Sequence, residues 1–303
     1  MVSVLKKFTL KLVAFSFFVI IIFISLYFIG FFKNKYQFNL HRTEINYKDV
    51  YIGDSHIQLS IDPDLVKHAV NLGQICETYD YTFYKLKYLV DNNIMMKQVF
   101  LGVDSHNFSS NLDIYNYNNF QENFRSRYFY ILPFKENLNF CYDHFPTIID
   151  LFKEVYLKNY SFHDYKDYNH TFLGGYSNDF INNTIKPKEI YTRIQGHYYF
   201  DDKYCSISNN NSRYFDSIVY LCKKNKLKLT LLVTPVHAYY DSLTPTLFKD
   251  FFKEKCIKSG CPIITFNPKN YSEDCFYIDG DHLTKKGVTI LSKELAHLLY
   301  TKD

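Results

Sequence analysis

Residues 49–56 read Asp-Val-Tyr-Ile-Gly-Asp-Ser-His. The apolar run Asp49–Gly53 has the length of a buried strand, and the glycine ends it in a turn. Working outward, similar short apolar runs recur at Lys67–Leu72 (KHAVNL), Lys97–Val103 (KQVFLGV), Leu227–Thr234 (LKLTLLVT, stopped by Pro235) and Pro262–Phe266 (PIITF). Between and after them lie stretches with helical spacing: Tyr79–Asn92, Arg213–Lys224, Leu247–Ile257 and Thr284–Leu299. In the last of these, Thr284 is the expected N-cap, and Val288, Ile290, Leu291, Leu295 and Leu298 form the apolar set. Strands alternating with helices predict βαβ units. The expected fold class is therefore α/β, a three-layer sandwich with a mostly parallel sheet covered on both faces.

Positions 108–210 break that rhythm and are rich in Asn, Tyr, Phe and His. The stretch is too long for a structureless loop. It reads as an inserted cap, with helices near Asn119–Tyr130 and Thr147–Asn159. Upstream, Leu12–Phe32 is free of charge, long enough to span a ~30 Å hydrocarbon core as a helix. It has no small-x-small cleavage site, which favours an uncleaved anchor over a signal peptide. The expected organisation is a short tail (1–11), a transmembrane anchor (12–32), a polar linker (33–48) and a body (49–303) carrying the 108–210 insertion.

Lys6, Lys7 and Lys11 precede the apolar run, and Lys33, Lys35 and Arg42 follow it, so charge alone leaves orientation balanced. A short tail before a single anchor places the body on the periplasmic or extracellular side. The chain has 35 basic and 31 acidic residues. With three of the basic ones ahead of the anchor, the body is near neutral, which argues against a nucleic-acid binder. The 29 Tyr and 29 Phe fit an AT-rich coding composition and carry no functional reading. Seven cysteines include no C-x2-C zinc pattern. Cys256 and Cys261 either close a small disulfide loop or stand as two thiols.

Two stretches carry chemistry. Ser55, directly after the first strand, sits where a parallel sheet gathers its ligands, with backbone N–H groups beside it to stabilise an oxyanion. Near the C-terminus, Asp279-Gly-Asp281-His282 precedes the last helix. A carboxylate three residues before a histidine folds back in one turn and accepts the imidazole N–H. The other ring nitrogen is then left to take a proton from a serine. Asp281 is the rival orienter, with poorer reach to its neighbour's ring. Thr234-Pro-Val-His237 and Tyr240 follow the fourth strand and are candidate substrate contacts. Arg125, Arg127, Arg193 and His197 lie in the insertion, either as solvated surface or as contacts for an anionic glycan.

The serine in Gly53-Asp54-Ser55 after the first strand, combined with Asp279-x-x-His282-Leu-x-x-x-Gly287 before the final helix, resembles the SGNH (GDSL-like) hydrolase superfamily. Within it, the membrane-anchored branch near the alginate O-acetyltransferases and the D-alanine transfer protein of teichoic acid synthesis is the more similar. The resemblance covers Asp49–Leu299 without the insertion. It implies a flavodoxin-like sandwich with Ser55 as nucleophile, His282 as base and Asp279 as its orienter. It implies an oxyanion hole from Ser55, Gly73 and an asparagine after the third strand. There the chain has Asp104 in the usual place. Asn107 or His106 is then the replacement donor, and Asp54, His56 and His106 line the substrate side. No cofactor and no metal are implied. The activity implied is that of a serine acyl-esterase or an O-acyltransferase acting on a cell-envelope polysaccharide or glycan. Its acyl donor is one that a membrane acyltransferase can deliver, and its location is a single-pass place in the cell membrane.

Two rival readings exist. Asp54-x-His56 and Asp281-His282 suit a metallophosphoesterase, but the G-D-x-x-D and G-N-H-E runs are absent. The same fold also suits a glycan-binding or assembly protein with a decayed site.

Overall fold

The computed structural model describes residues 2–115, 128, 131–133, 135–136, 170–171, 173–181 and 184–300. In chain order these form α1 (Val2–Ile45), β1 (Asp49–Ile52), α2 (Ser55–Gln58), β2 (Ala69–Asn71), α3 (Tyr79–Asp91), β3 (Gln98–Gly102), α4 (Ser110–Tyr115), β4 (His170–Thr171) and β5 (Gly174–Gly175). There follow α5 (Pro187–Tyr198), β6 (Tyr199–Phe200), β7 (Lys203–Tyr204), α6 (Asn209–Lys224), β8 (Leu229–Val233), α7 (Ala238–Leu243), α8 (Thr246–Ser259), β9 (Ile263–Thr265) and α9 (Lys285–Tyr300).

The main sheet has five strands in the order β2-β1-β3-β8-β9, every neighbouring pair parallel. The fold is α/β. The two core clusters that flank the sheet follow the period-two alternation of buried strands. Val50 and Ile52 of β1, Val99 and Leu101 of β3 and Leu231 of β8 pack with Leu86 of α3, Phe215 and Ile218 of α6 and Cys256 of α8. Tyr51, Phe100 and Leu232 point the other way, onto Val288, Leu291 and Leu295 of α9. Helices thus cover both faces, because the central strands β1, β3 and β8 carry buried apolar side chains on both sides. Thr284 takes the N-cap position of α9, its Oγ1 accepting from the Gly287 N–H at 3.4 Å. Leu298 is exposed rather than packed.

Strand order reverses between β1 and β3, and the carboxyl ends of these two strands make the crevice at which α/β sheets bind ligands. Backbone pieces approach one another closely there. A Cβ on Gly73 would overlap the Gln58 amide, and one on Gly102 would overlap Ile57. We predict that Gly73→Ala lowers unfolding free energy by about 1–3 kcal/mol through forced displacement of α2. A urea midpoint equal to wild type would refute this.

One polar cluster sits inside the core beside the crevice. The fully buried Lys85 Nζ donates to Glu77 Oε2 at 2.6 Å and to the Leu72 carbonyl at 2.5 Å. Thr82 Oγ1 and Tyr128 Oη donate to the same carboxylate at 2.7 Å each.

The insertion leaves and rejoins the body at one place. Ser109 bridges Ile207 in antiparallel fashion, the Ser110 N–H donates to Ser206 O at 2.9 Å, and the Ser208 N–H donates to Phe108 O at 2.8 Å. The helices expected near Asn119–Tyr130 and Thr147–Asn159, and with them Arg125 and Arg127, lie outside the described residues apart from Tyr128.

At the N-terminus, α1 is one helix of 44 residues. It runs on through most of the segment expected as a linker, and docks by burying Ile45. The Tyr47 N–H then donates to Met95 O at 2.6 Å. Phe15, Phe18, Ile20, Ile24, Ile29 and Phe32 along it are exposed. Among the described residues, no helix is long and apolar enough to cross a membrane. The structure thus does not display the anchor expected over 12–32. All six described cysteines are free, Cys256 and Cys261 included.

Candidate active site

β1 delivers Gly53, whose φ of +143° is one that side-chain-bearing residues rarely adopt, and the chain turns directly into α2. Asp54 caps this turn by accepting the His56 N–H at 2.9 Å. Ser55 is the first residue of the turn. Its amide is therefore one that the helix itself leaves unused. On the far side of the crevice, residues 277–282 form a closed loop: the Gly280 N–H donates to Tyr277 O at 2.9 Å and the Tyr277 N–H donates to His282 O at 2.8 Å. Gly280 at φ +66° makes this turn possible, and its carbonyl accepts the His237 N–H at 2.8 Å.

This loop places His282 with Nε2 at 3.0 Å from Ser55 Oγ and Nδ1 at 2.8 Å from Asp279 Oδ2. The other Asp279 oxygen accepts the backbone N–H groups of Asp281 and His282 at 3.0 and 3.1 Å. Burial alone would raise the Asp279 carboxyl. The charge and hydrogen bond of His282 outweigh it and hold the group below its usual range. Asp281 faces elsewhere: it accepts from His56 Nε2 at 3.0 Å and from Arg193 Nε at 2.8 Å. Those two cations overcome its burial and keep it well below the ordinary carboxylate range.

The oxyanion-hole donors expected from the resemblance are in use within the fold. The Gly73 N–H donates to Asn71 Oδ1 at 2.8 Å, and Asn107 Nδ2 donates to Asp54 Oδ2 at 2.7 Å. Asn107 Oδ1 closes a capping box on the turn at Ser105–Phe108 by accepting the Asp104 N–H at 2.7 Å. Asn107 is therefore a brace for Asp54 and for its own turn. One Asp104 oxygen, Oδ1, accepts the Ser105 N–H and Oγ in the same turn, while Oδ2 lies 3.6 Å from His56 Nδ1.

Tyr240 also departs from expectation. It is buried, and its hydroxyl is 2.6 Å from His197 Nδ1, so it backs a histidine instead of meeting substrate. His237 caps α7 by accepting the Tyr239 N–H at 3.2 Å and lies edge-on to Phe276. It is not among the described residues lining the crevice. His56 is buried too. Desolvation disfavours its charge, but Asp281, Asp54 and Asp104 prevail and push it up to about 10. Burial opposes the Asp54 charge as well. There the His106 hydrogen bond (2.8 Å), with the charges of His106 and His56, wins and holds the carboxyl low.

The crevice is a cavity of about 360 Å³ with Ser55, Asp279, His106, Cys76, Arg193 and His197 among its walls. Arg193 and His197 come from α5, inside the insertion, where the sequence offered surface or glycan contacts. Arg193 instead reaches inward, its Nη2 3.3 Å from His282 Nε2. His197 is buried and stacks on His106 with centroids 4.5 Å apart. Burial and the Arg193 charge hold His197 well below its usual range. A sequence signal for this histidine cluster does exist. The tripeptide Asp-Ser-His occurs twice, at Asp54–His56 and at Asp104–His106, after the two strands that flank the reversal point.

No family model matches the chain, and no curated protein matches it. Among solved structures it is similar to a protein from Desulfitobacterium hafniense DCB-2, described as lipolytic and of the G-D-S-L family. The TM-score is 0.39 at 10% identity, over 84% of this chain and 100% of that one. So faint a likeness bears on neither the site nor the activity.

Proposed function

We propose that this chain is a serine esterase or acyltransferase of SGNH type that works through an acyl-Ser55 intermediate. The observation that carries the reading is the continuous chain Asp279–His282–Ser55, at 2.8 and 3.0 Å, with Ser55 and Asp279 lining the crevice. His282 Nε2 removes the hydroxyl proton as Ser55 Oγ attacks the ester carbonyl. Asp279 fixes the ring and stabilises the imidazolium that forms. His282 then returns the proton to the departing alcohol. Water or a sugar hydroxyl attacks the acyl-serine in the second half and regenerates Ser55.

Negative charge develops on the carbonyl oxygen in both halves. The Ser55 N–H and the Arg193 guanidinium, held by Asp281 beside the reacting atoms, are the groups placed to meet it. Arg193→Met is expected to lower kcat by about 10²–10³ with a smaller change in KM, measured on p-nitrophenyl acetate. An unchanged kcat would remove Arg193 from this role.

The finer expectation is attachment to a membrane and acyl transfer to an envelope glycan. It draws on the charge-free run 12–32 and on the exposure of its described apolar side chains in α1. Apolar side chains exposed in such number call for a partner other than water.

The test is covalent labelling of the purified full chain with a fluorophosphonate, followed by peptide mass spectrometry, beside turnover of p-nitrophenyl acetate with and without oligosaccharide. Label on Ser55 with turnover supports the reading, and acetylated oligosaccharide selects transfer over hydrolysis. A folded chain with no label and no turnover would overturn it in favour of a binding or assembly protein.

A further inference from the structure

Behind the Ser55–His282–Asp279 chain lies a second cluster that the proposed reaction does not use. Three buried histidines there each spend one ring nitrogen on an outer group. His56 Nε2 is bonded to Asp281 Oδ1 at 3.0 Å, His106 Nε2 to Asp54 Oδ2 at 2.8 Å, and His197 Nδ1 to the Tyr240 hydroxyl at 2.6 Å. This is how metal-binding histidines are held. An outer carboxylate or hydroxyl fixes the tautomer and aims the remaining nitrogen inward.

The remaining nitrogens are short of partners. His106 is 3% exposed, and its Nδ1 is buried with no hydrogen bond, an arrangement that is costly without a ligand. His56 Nδ1 faces Asp104 Oδ2 at 3.6 Å. That is too long for a hydrogen bond. It is close to the separation of two ligands on one tetrahedral ion, roughly 3.4 Å for bonds of about 2.0–2.2 Å. One ligand atom from each of His56, Asp104 and His106 lies within 4.8 Å of the others, and the same holds for His106, His197 and Asp281. Asp54 does not belong to the inner set, because its oxygens already accept from His56 N, His106 Nε2 and Asn107 Nδ2.

We propose that His56, Asp104 and His106 form a binding site for a divalent first-row transition-metal ion of the Zn²⁺ class, with Asp281 and Asp54 as the outer carboxylates that orient the two histidines. Two imidazoles and one carboxylate form a set suited to such ions rather than to Mg²⁺ or Ca²⁺. This goes beyond the expectation of no metal drawn from the sequence, and it is independent of whether Ser55 is a nucleophile.

The experiment strips the full chain with a chelator, returns Zn²⁺ alone, and measures stoichiometry by elemental analysis and affinity by competition with a chromophoric chelator. Wild type is expected to take up one Zn²⁺ per chain. His106→Ala and Asp104→Asn are each expected to weaken binding at least tenfold, and Ser55→Ala to leave it unchanged. A folded wild-type chain that takes up no stoichiometric Zn²⁺ overturns the site, as do variants that bind as tightly as wild type. Should either variant misfold, the Co²⁺-loaded wild type decides. Intense visible bands from a nitrogen–oxygen ligand field support the site, and the pale spectrum of the aquo ion overturns it. Because the readout is metal and not turnover, loss of one proposal leaves the other standing.

Discussion

Alanine at His282 is expected to lower ester turnover by about 10⁴-fold or more, alanine at Ser55 by a similar factor, and the double substitution by no more than either alone. The two side chains act on one proton, 3.0 Å apart, so removing either removes the same step. Asp279→Ala is expected to cost about two orders of magnitude less, because the ring keeps its serine contact and loses only its orienter. Thermal melts and circular dichroism should show the folds intact, since Ser55 and His282 take little part in the core clusters. Steady-state kinetics on p-nitrophenyl acetate checks the series. A His282→Ala chain with wild-type kcat would show that the geometry is structural only.

The second large effect concerns stability. Lys85→Met is expected to lower unfolding free energy at neutral pH by about 3–5 kcal/mol, because Glu77 stays behind as a buried charge without its cation. Burial already pushes Glu77 upward against the pull of Lys85, Thr82 and Tyr128. With Lys85 gone, its pKa rises further. A carboxyl raised in the folded state contributes stability that is complete below its unfolded value and lost as pH climbs through the folded one. The deficit of Lys85→Met relative to wild type should therefore shrink on acidification toward pH 5. Adding Glu77→Gln should recover much of it at pH 7. Urea unfolding across pH 5–8 reads both effects, and a pH-independent deficit would mean that lost packing, not the stranded carboxylate, is responsible.

The sheet was legible because buried parallel strands are written as short apolar runs ended by glycine or proline. Each run at Asp49, Lys67, Lys97, Leu227 and Pro262 became a strand, trimmed by a residue or two at its ends. The pairing of Asp279 with His282 was legible because one turn brings residues three apart together. The fates of Gly73 and Asn107 were not, since both depend on which acceptor is nearest in space: Asn71 captures one amide and Asp54 the other. The inward roles of Arg193 and His197 were not legible, because their partners, Asp281 and Tyr240, are 88 and 43 positions away, and no local periodicity links them. Tyr240 pointed the wrong way for a similar reason. Following a strand places a residue at the crevice, but burial of a large ring places it behind.

The pinned ends of the insertion have a consequence for how such a protein can be rebuilt. A segment that departs and returns through Ser109 and Ile207 has a single seam in the chain, yet it also reaches the sheet, with Leu173 in the core and the Gly175 N–H donating to Gly73 O at 3.1 Å. This segment is not electrically silent, because α5 brings the guanidinium that neutralises Asp281. A chimera that swaps this segment for one lacking an inward cation leaves the buried Asp281 with His56 as its remaining hydrogen-bonded partner. Grafting a new roof onto this body therefore calls for matching charge across the seam as well as shape.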